Sequence, residues 1–282
     1  MKKQVVDIKT LESVSPVFRG EIGHWFSKIC MQVLALDKIN EIYERCCDYQ
    51  GADFVSKLLN ELGIHYRIGN AERLKQLPQG AFITVCNHPY GGIDGIMLID
   101  LMASIRADFK VMVNKILTLV KTMDDNFISV TPFTTQKPGV TANINGIRET
   151  ITCLKNGHPV GFFPSGAVSN FSLKEFKVID RPWQQGIIRL IHQIKVPIVP
   201  VRFFDKNSPF FYFLGLINWR IRLLRMPCEV LNKKSQNPRI GIGEIISVEE
   251  QAKYPNPKDF SAFLRNSVYN MPLPASFTPR NF

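Results

Sequence analysis

The sequence has no run of about 18 apolar residues, no Cys-x-x-Cys pair and no low-complexity tract. The first absence argues against a membrane-spanning helix. The nearest approach, "FFYFLGLINWRIRLLRMP" at 210–227, is broken by Asn218, Arg220, Arg222 and Arg225. It reads either as buried amphipathic structure or as a segment lying on a membrane, arginines at the headgroups and aromatics below. The second absence, together with scattered histidines, argues against a zinc site, and no metal is expected. Cys30, Cys46, Cys47, Cys86, Cys153 and Cys228 are scattered in apolar surroundings with no paired spacing, the usage of reduced, buried thiols in the cytoplasm. The third absence, with 45% hydrophobic and 21% charged residues, marks a globular chain and not a disordered one. The opening "MKKQVVDIKTLESVS" lacks the apolar core of a signal peptide, which again points to a cytoplasmic location.

Acidic residues are also scarce. There are 24 Asp and Glu against 35 Lys and Arg, a formal net charge of +11. Such a surface attracts anions: nucleic acid, anionic lipid, or an acidic carrier such as coenzyme A or acyl carrier protein. Twenty phenylalanines favour a lipid-handling protein over a nucleic-acid module. No helix carries a dense basic stripe and no RNA-binding signature occurs, so no nucleic-acid partner is expected. The length of 282 residues suits one large domain with a helical appendage.

Two patterns follow one another along the chain. Residues 1–70 form an N-terminal helical segment, packed on the core or on a membrane. "GHWFSKICMQVLALDKINEIYERCC" carries apolar residues at three- and four-residue spacings, and "ADFVSKLLNELG" ends at Gly63, a helix stop. Residues 71–282 alternate short apolar runs with longer periodic ones. "AFITVCN", "FKVMV", "FISVTPF", "PVGFF", "VPIVPVRFF" and "RIGIGEIISV" read as strands. "GIMLIDLMASIR", "KILTLVKTM", "GVTANINGIRETITCLKNG" and "RPWQQGIIRLIHQIK" read as helices, the last with Pro182 at its first position. Ser247 and Glu250 form a capping box for a closing helix. The alternation predicts an α/β fold: a mainly parallel central sheet flanked by helices, with the N-terminal helical segment added. Ligands in such folds gather at the carboxyl ends of the strands.

That position is occupied by "NHPYGGID", residues 87–94. His88 follows a strand and Asp94 precedes a helix. Pro89 fixes one torsion, and Gly91 and Gly92 let the loop fold back. A carboxylate at one imidazole nitrogen fixes the tautomer and supports the imidazolium formed when the other nitrogen takes a proton. His88 and Asp94 are thus candidates for a general base acting on a hydroxyl and its orienting acid. The same spacing also suits Asp94 as a helix cap and His88 as a loop-binding side chain. A second block, "FPSGAVSN" at 163–170, ends another strand, where its backbone N–H groups can face an anion or a developing oxyanion. Ser165 lacks the Gly-x-Ser-x-Gly setting of an acyl-accepting serine. Cys86 should point away from its neighbour Asn87 and be a buried thiol.

"NHPYGGID", "FPSGAVS" and "VPIVPV" occur in order and rough spacing over residues 80–245. Together they resemble the PlsC-type glycerolipid acyltransferases, and most of all the bacterial branch of hemolysin-like or aminolipid O-acyltransferases. "DRPWQQGIIRLI" and "LNKKSQNPRIGIGEII" are similar to that branch too. The resemblance implies an O-acyltransferase that moves a fatty acyl chain from acyl-CoA or acyl-carrier protein to a lysolipid hydroxyl. It implies His88 as base, Asp94 as its acid, and Asn87, Phe163, Pro164, Ser165 and Gly166 as substrate-binding. No metal, cofactor or covalent acyl-enzyme is implied. The implied setting is the inner face of the cell membrane, with an anionic surface as partner.

The departures from that pattern bear on the acceptor. The His88-to-Asp94 spacer holds five residues, one more than the family's usual four. Ser165, Ala167 and Val168 stand where the family has glutamate, threonine and arginine. The middle block "FISVTPFTTQK" has no arginine, although Lys137 could supply charge. Arginine suits phosphate because its fork holds two oxygens. A lyso-aminolipid and a lysophosphatidic-acid-like acceptor are therefore both carried forward. So is a different class, a non-catalytic membrane-binding or hemolysin-like lipid-binding protein of the same fold.

Overall fold

The computed structural model describes residues 4–114, 117, 120–130, 140–234 and 236–280. Helices α1 (Ile8–Val14), α2 (Gly20–Val33), α3 (Leu36–Cys46) and α4 (Gly51–Leu62) lead the chain. Asp7 caps α1 by accepting the Thr10 N–H at 2.8 Å, and Gly63, at φ +63°, ends α4 as its sequence position predicts. Strand β1 (Arg67–Gly69) then falls within the stretch expected to be helical and joins the main sheet.

The sheet has eight strands in the order β10-β1-β9-β8-β2-β5-β3-β4. They are β2 (Ile83–Cys86), β3 (Lys110–Asn114), β4 (Phe127–Val130), β5 (Val160–Phe162), β8 (Ile198–Phe203), β9 (Arg239–Ile242) and β10 (Phe277–Pro279), with β1. Pairs β2–β5, β2–β8, β3–β5, β3–β4 and β1–β9 are parallel; β8–β9 and β1–β10 are antiparallel. Period-two side chains divide the core. Phe82, Cys86, Val111, Val113 and Val199 face a cluster built with α3, α4 and α5 (Gly92–Ala103). Ile83, Val85, Met112 and Ile198 face a second cluster with α6 (Val140–Lys155), α7 (Gln185–Ile194) and α12 (Pro257–Tyr269). Helices on both faces explain why β2 is apolar or buried at every position. The expected α/β architecture with a mainly parallel sheet is the observed one.

Element boundaries differ where side chains take over. α5 starts at Gly92, earlier than the periodicity suggests, because Gly91 turns the chain at φ +87°. α7 starts at Gln185 and not at Pro182. The Gln184 N–H is given to Pro164 O at 2.8 Å, and the Trp183 indole N–H to Asp180 at 3.2 Å. Of the short helix expected over 115–123, residues 115, 116, 118 and 119 lie outside the described residues, and its end runs into a 3₁₀ turn over Lys121–Asn126. The 210–227 segment is three helices: α8 (Pro209–Ile217), α9 (Trp219–Leu224) and the start of α10 (Met226–Leu231). Asn218 breaks it, its side chain accepting the Arg220 N–H at 2.8 Å. Ser247 caps α11 (Val248–Ala252) through the Glu250 N–H at 3.2 Å. The hairpin β6 (Asn170–Ser172) and β7 (Lys177–Ile179) was not foreseen. Lys137 and residues 131–133 of the expected "FISVTPF" strand lie outside the described residues. No helix among the described residues is long and apolar enough to cross a membrane.

Candidate active site

β2 runs between β8 and β5, and its carboxyl end delivers Asn87 and His88. Asn87 is buried. Its carboxamide pairs with the backbone of Phe203, donating to the carbonyl at 2.9 Å and accepting the N–H at 2.8 Å. This locks the loop to β8. The His88 N–H donates to Asp180 Oδ1 at 3.1 Å, and the His88 carbonyl accepts the Ser169 N–H at 2.8 Å. Pro89 O accepts the Tyr212 hydroxyl at 2.8 Å, and Tyr90 O accepts the Asn207 amide at 3.1 Å. Each carbonyl of the turn therefore has a donor, as a buried loop requires.

Asp94 is fully buried at the third position of α5. Its Oδ2 accepts the N–H groups of Tyr90 at 3.0 Å and Gly91 at 3.2 Å, and its Oδ1 accepts the Gly95 N–H at 2.9 Å. The same Oδ2 lies 2.9 Å from His88 Nδ1. The carboxylate sits off the axis of the ring N–H, so Nδ1 has no aligned hydrogen bond and the contact is chiefly one of charge. Asp94 thus caps the helix and also touches the imidazole. Burial pushes the His88 pKa down, but the Asp94 carboxylate, with Asp180 behind it, outweighs burial and holds it above the ordinary histidine value. With Nδ1 turned to Asp94, Nε2 is the nitrogen left for a substrate.

The second block comes from the end of β5. The Phe163 ring lies 4.4 Å from the His88 ring at 37° and 6.3 Å from Phe203. Gly166, at φ +63°, closes the turn with its N–H on Phe163 O at 2.9 Å, and a Cβ there would run into Gln184. Ser165 is buried and its hydroxyl donates to Ala167 O at 2.8 Å, so it is turned to its own chain. His88, Phe163 and Gly166 line a cavity of about 130 Å³ with Gly95, Val113, Asn114 and Gln184. Asn87, Asp94, Pro164 and Ser165 stand behind this lining. The cavity sits at the carboxyl ends of β3, β4 and β5, where an open parallel sheet collects ligands.

Sequence reasoning missed Asp180. It is buried, and besides the His88 N–H it accepts the Ser169 hydroxyl at 2.6 Å and the Trp183 indole. Burial raises its pKa, against those hydrogen bonds. Its signal lay in "DRPWQQG", where an acid stands before the Pro-Trp pair, but nothing there indicates which loop it reaches. Arg222 was expected either in packed amphipathic structure or at a membrane surface. It is buried, and donates to Ser169 O at 3.0 Å. Cys86 is buried, and burial pushes its thiol well above the usual range. His24 pairs with Glu12 and His158 with Asp108, away from the cavity. No cluster among the described residues could hold a metal ion.

Known proteins share this sequence pattern. A family model described as an acyltransferase matches residues 13–273. The lyso-glycine lipid O-acyltransferase of Bacteroides thetaiotaomicron is 23% identical over 276 residues, covering 95% of this chain and 97% of its own. The protein of the same name from Phocaeicola vulgatus is 22% identical over 242 residues, 83% of each chain. The 1-acyl-sn-glycerophosphate (LPA) acyltransferase PlsC of Thermotoga maritima superposes at 14% identity over 87% of this chain and 86% of its own. Its TM-score is 0.48, a likeness too loose to build on.

Proposed function

Because this chain belongs to the acyltransferase family whose model spans residues 13–273, and is an acyltransferase, we propose that its acceptor is a lysolipid hydroxyl and its donor a fatty acyl thioester, acyl-CoA or acyl-carrier protein. His88 Nε2 takes the hydroxyl proton as the oxygen attacks the thioester carbonyl. The carbon–sulfur bond breaks, and the imidazolium returns its proton to the departing thiolate. Asp94, held by three backbone N–H groups, supports the imidazolium through Nδ1 and fixes the ring's orientation. Proton transfer of this kind contributes about 10²- to 10⁴-fold. Phe163 and Gly166 form the wall beside the ring. Pro164 and Ser165 shape the turn behind it, and Asn87 holds the loop that carries the base.

The observation that supports this reading is the 2.9 Å approach of Asp94 Oδ2 to His88 Nδ1, beside a cavity that the ring lines. Residues 71–282 contain every residue used in the step, and α3 and α4 of the preceding segment pack against α10 and α5. A lyso-aminolipid bearing a carboxylate is preferred over lysophosphatidic acid. Two relatives are named for a lyso-glycine lipid, and Val168 stands where the resembled pattern has a phosphate-holding arginine. The place of action is the cytoplasmic side of the cell membrane, with the protein bound peripherally.

The test is thiol release from acyl-CoA and from acyl-carrier protein with a panel of lysolipids, the product identified by mass spectrometry. Ester formation on a lyso-aminolipid is expected. Thioester hydrolysis without ester product, for every acceptor, would contradict the reading.

A further inference from the structure

An apolar surface lies over the loop that carries His88. On α8 and α9, Phe210, Phe213, Ile217, Trp219 and Leu224 are exposed. Beside α8, the β6–β7 hairpin ends in Leu173 and Phe176, which are 70% and 82% exposed. Phe176 also has φ +50°, a backbone geometry that a bulky side chain rarely adopts. Its ring contact with Phe171 at 5.5 Å leaves most of it in the open.

The underside of the same elements is tied to the catalytic loop. Phe211 and Tyr212 bury against Val168, Phe171 and Val178. The Tyr212 hydroxyl holds Pro89 O, and Arg222 holds Ser169 O. Met226 lies against Gly91 so closely that a Cβ there would meet its methyl. The exposed face is therefore fixed in relation to His88.

Cations are interleaved with these side chains. The Arg220 guanidinium lies 5.4 Å over the Trp219 ring and Arg225 lies 5.5 Å over Phe210. Lys174 and Lys177 flank Phe176 on the hairpin, with Lys177 paired to Glu175 at 2.8 Å. An apolar face rimmed by cations complements the surface of a bilayer that contains anionic lipid. A second copy of this chain carries the same net charge of +11 and is repelled.

We propose that α8, α9 and the tip of the β6–β7 hairpin form a docking face for an anionic bilayer, which sets the His88 loop at the membrane surface. This rests on the reading of the acceptor as a membrane lysolipid. Phe176, Leu173 and the apolar residues of α8 and α9 enter the acyl boundary, while Arg220, Arg225, Lys174 and Lys177 meet headgroup phosphates.

The test uses the full chain and sedimentation with vesicles of phosphatidylcholine, with and without phosphatidylglycerol. The wild type should bind the anionic vesicles and be released by salt. Leu173→Ser/Phe176→Ser and Phe213→Ser/Ile217→Ser should each weaken binding roughly tenfold or more, with the circular dichroism spectrum unchanged. Turnover of vesicle-borne lysolipid should fall in parallel, while turnover of detergent-dispersed lysolipid stays within about twofold of wild type. Unchanged vesicle binding in both double variants would overturn the proposal, as would binding lost only with Trp25→Ser, which changes an exposed aromatic of α2. Vesicle binding that depends on the hairpin, without acyl transfer in either setting, would support this face and sink the acyltransfer reading.

Discussion

Asp180 and His88 are 92 positions apart in the chain, yet Asp180 Oδ1 accepts the His88 N–H at 3.1 Å. The Ser169 hydroxyl reaches the same oxygen at 2.6 Å, and the Ser169 N–H returns to the His88 carbonyl at 2.8 Å. One acid therefore holds the backbone of the histidine, and another, Asp94, holds its ring. The two acids should respond differently to substitution.

Asp180→Ala leaves the His88 N–H, the Ser169 hydroxyl and the Trp183 indole N–H without their acceptor. The expected loss of unfolding free energy is on the order of 3 kcal/mol, read by denaturant titration. Asp180→Asn, which keeps an acceptor oxygen, should recover much of it. Equal stability of Asp180→Ala and wild type would show that the network contributes nothing.

Asp94→Asn keeps one oxygen, enough for the Tyr90 and Gly91 N–H groups but not for that of Gly95 as well, and removes the charge beside His88 Nδ1. The fold should survive, while kcat falls by about 10²-fold or more. The acid limb of the kcat profile should also move to lower pH, because the main influence raising the His88 pKa is gone. A variant with wild-type kcat and an unshifted limb would contradict the ion-pair role.

The pH dependence of the wild type has a definite sign. A neutral ring is the base, so kcat/KM, which reports the free enzyme, should climb as pH rises, with its midpoint above the ordinary value of about 6.5, because the folded pKa is raised. Stability runs the other way. The folded state binds this proton more tightly, so the contribution is full below the unfolded value. It is lost as pH rises through the folded one. The melting-temperature gap between wild type and His88→Gln should accordingly be wider at about pH 6 than at about pH 9.

How much of this was legible in the chain depends on how local each cause is. His88 and Asp94 could be paired because one strand end, one proline and two glycines mark both ends of a short loop. The alternation of strands and helices was visible for the same reason: period and punctuation are local. Asp180 was not visible, because its partners come from β2 and from the segment before β6 and are joined only by the fold. The start of α7 was misplaced because Gln184 and Trp183 give their N–H groups to Pro164 and Asp180, contacts that helical periodicity does not register. Helical spacing left Arg222 either packed or at a membrane surface, because it cannot show that a backbone carbonyl, Ser169 O, lies beneath α9.

Gly166 offers a steric test of the second block. Its φ of +63° costs an L side chain about 1–2 kcal/mol, and a Cβ also runs into Gln184. Gly166→Ala should lower the unfolding free energy by at least that much. It should also raise KM for the acceptor, since the same turn carries Phe163 over the His88 ring. An unchanged KM would remove this turn from the acceptor wall.

The measurement that bears most directly on the central claim is acyl transfer by a folded His88→Ala variant, with acyl thioester and lysolipid at saturation. A fall in kcat of about 10²- to 10⁴-fold or more is expected, with melting behaviour still cooperative. Turnover within a few-fold of wild type, in a variant with no imidazole at position 88, would show that the proton of the lysolipid hydroxyl is taken by some other group.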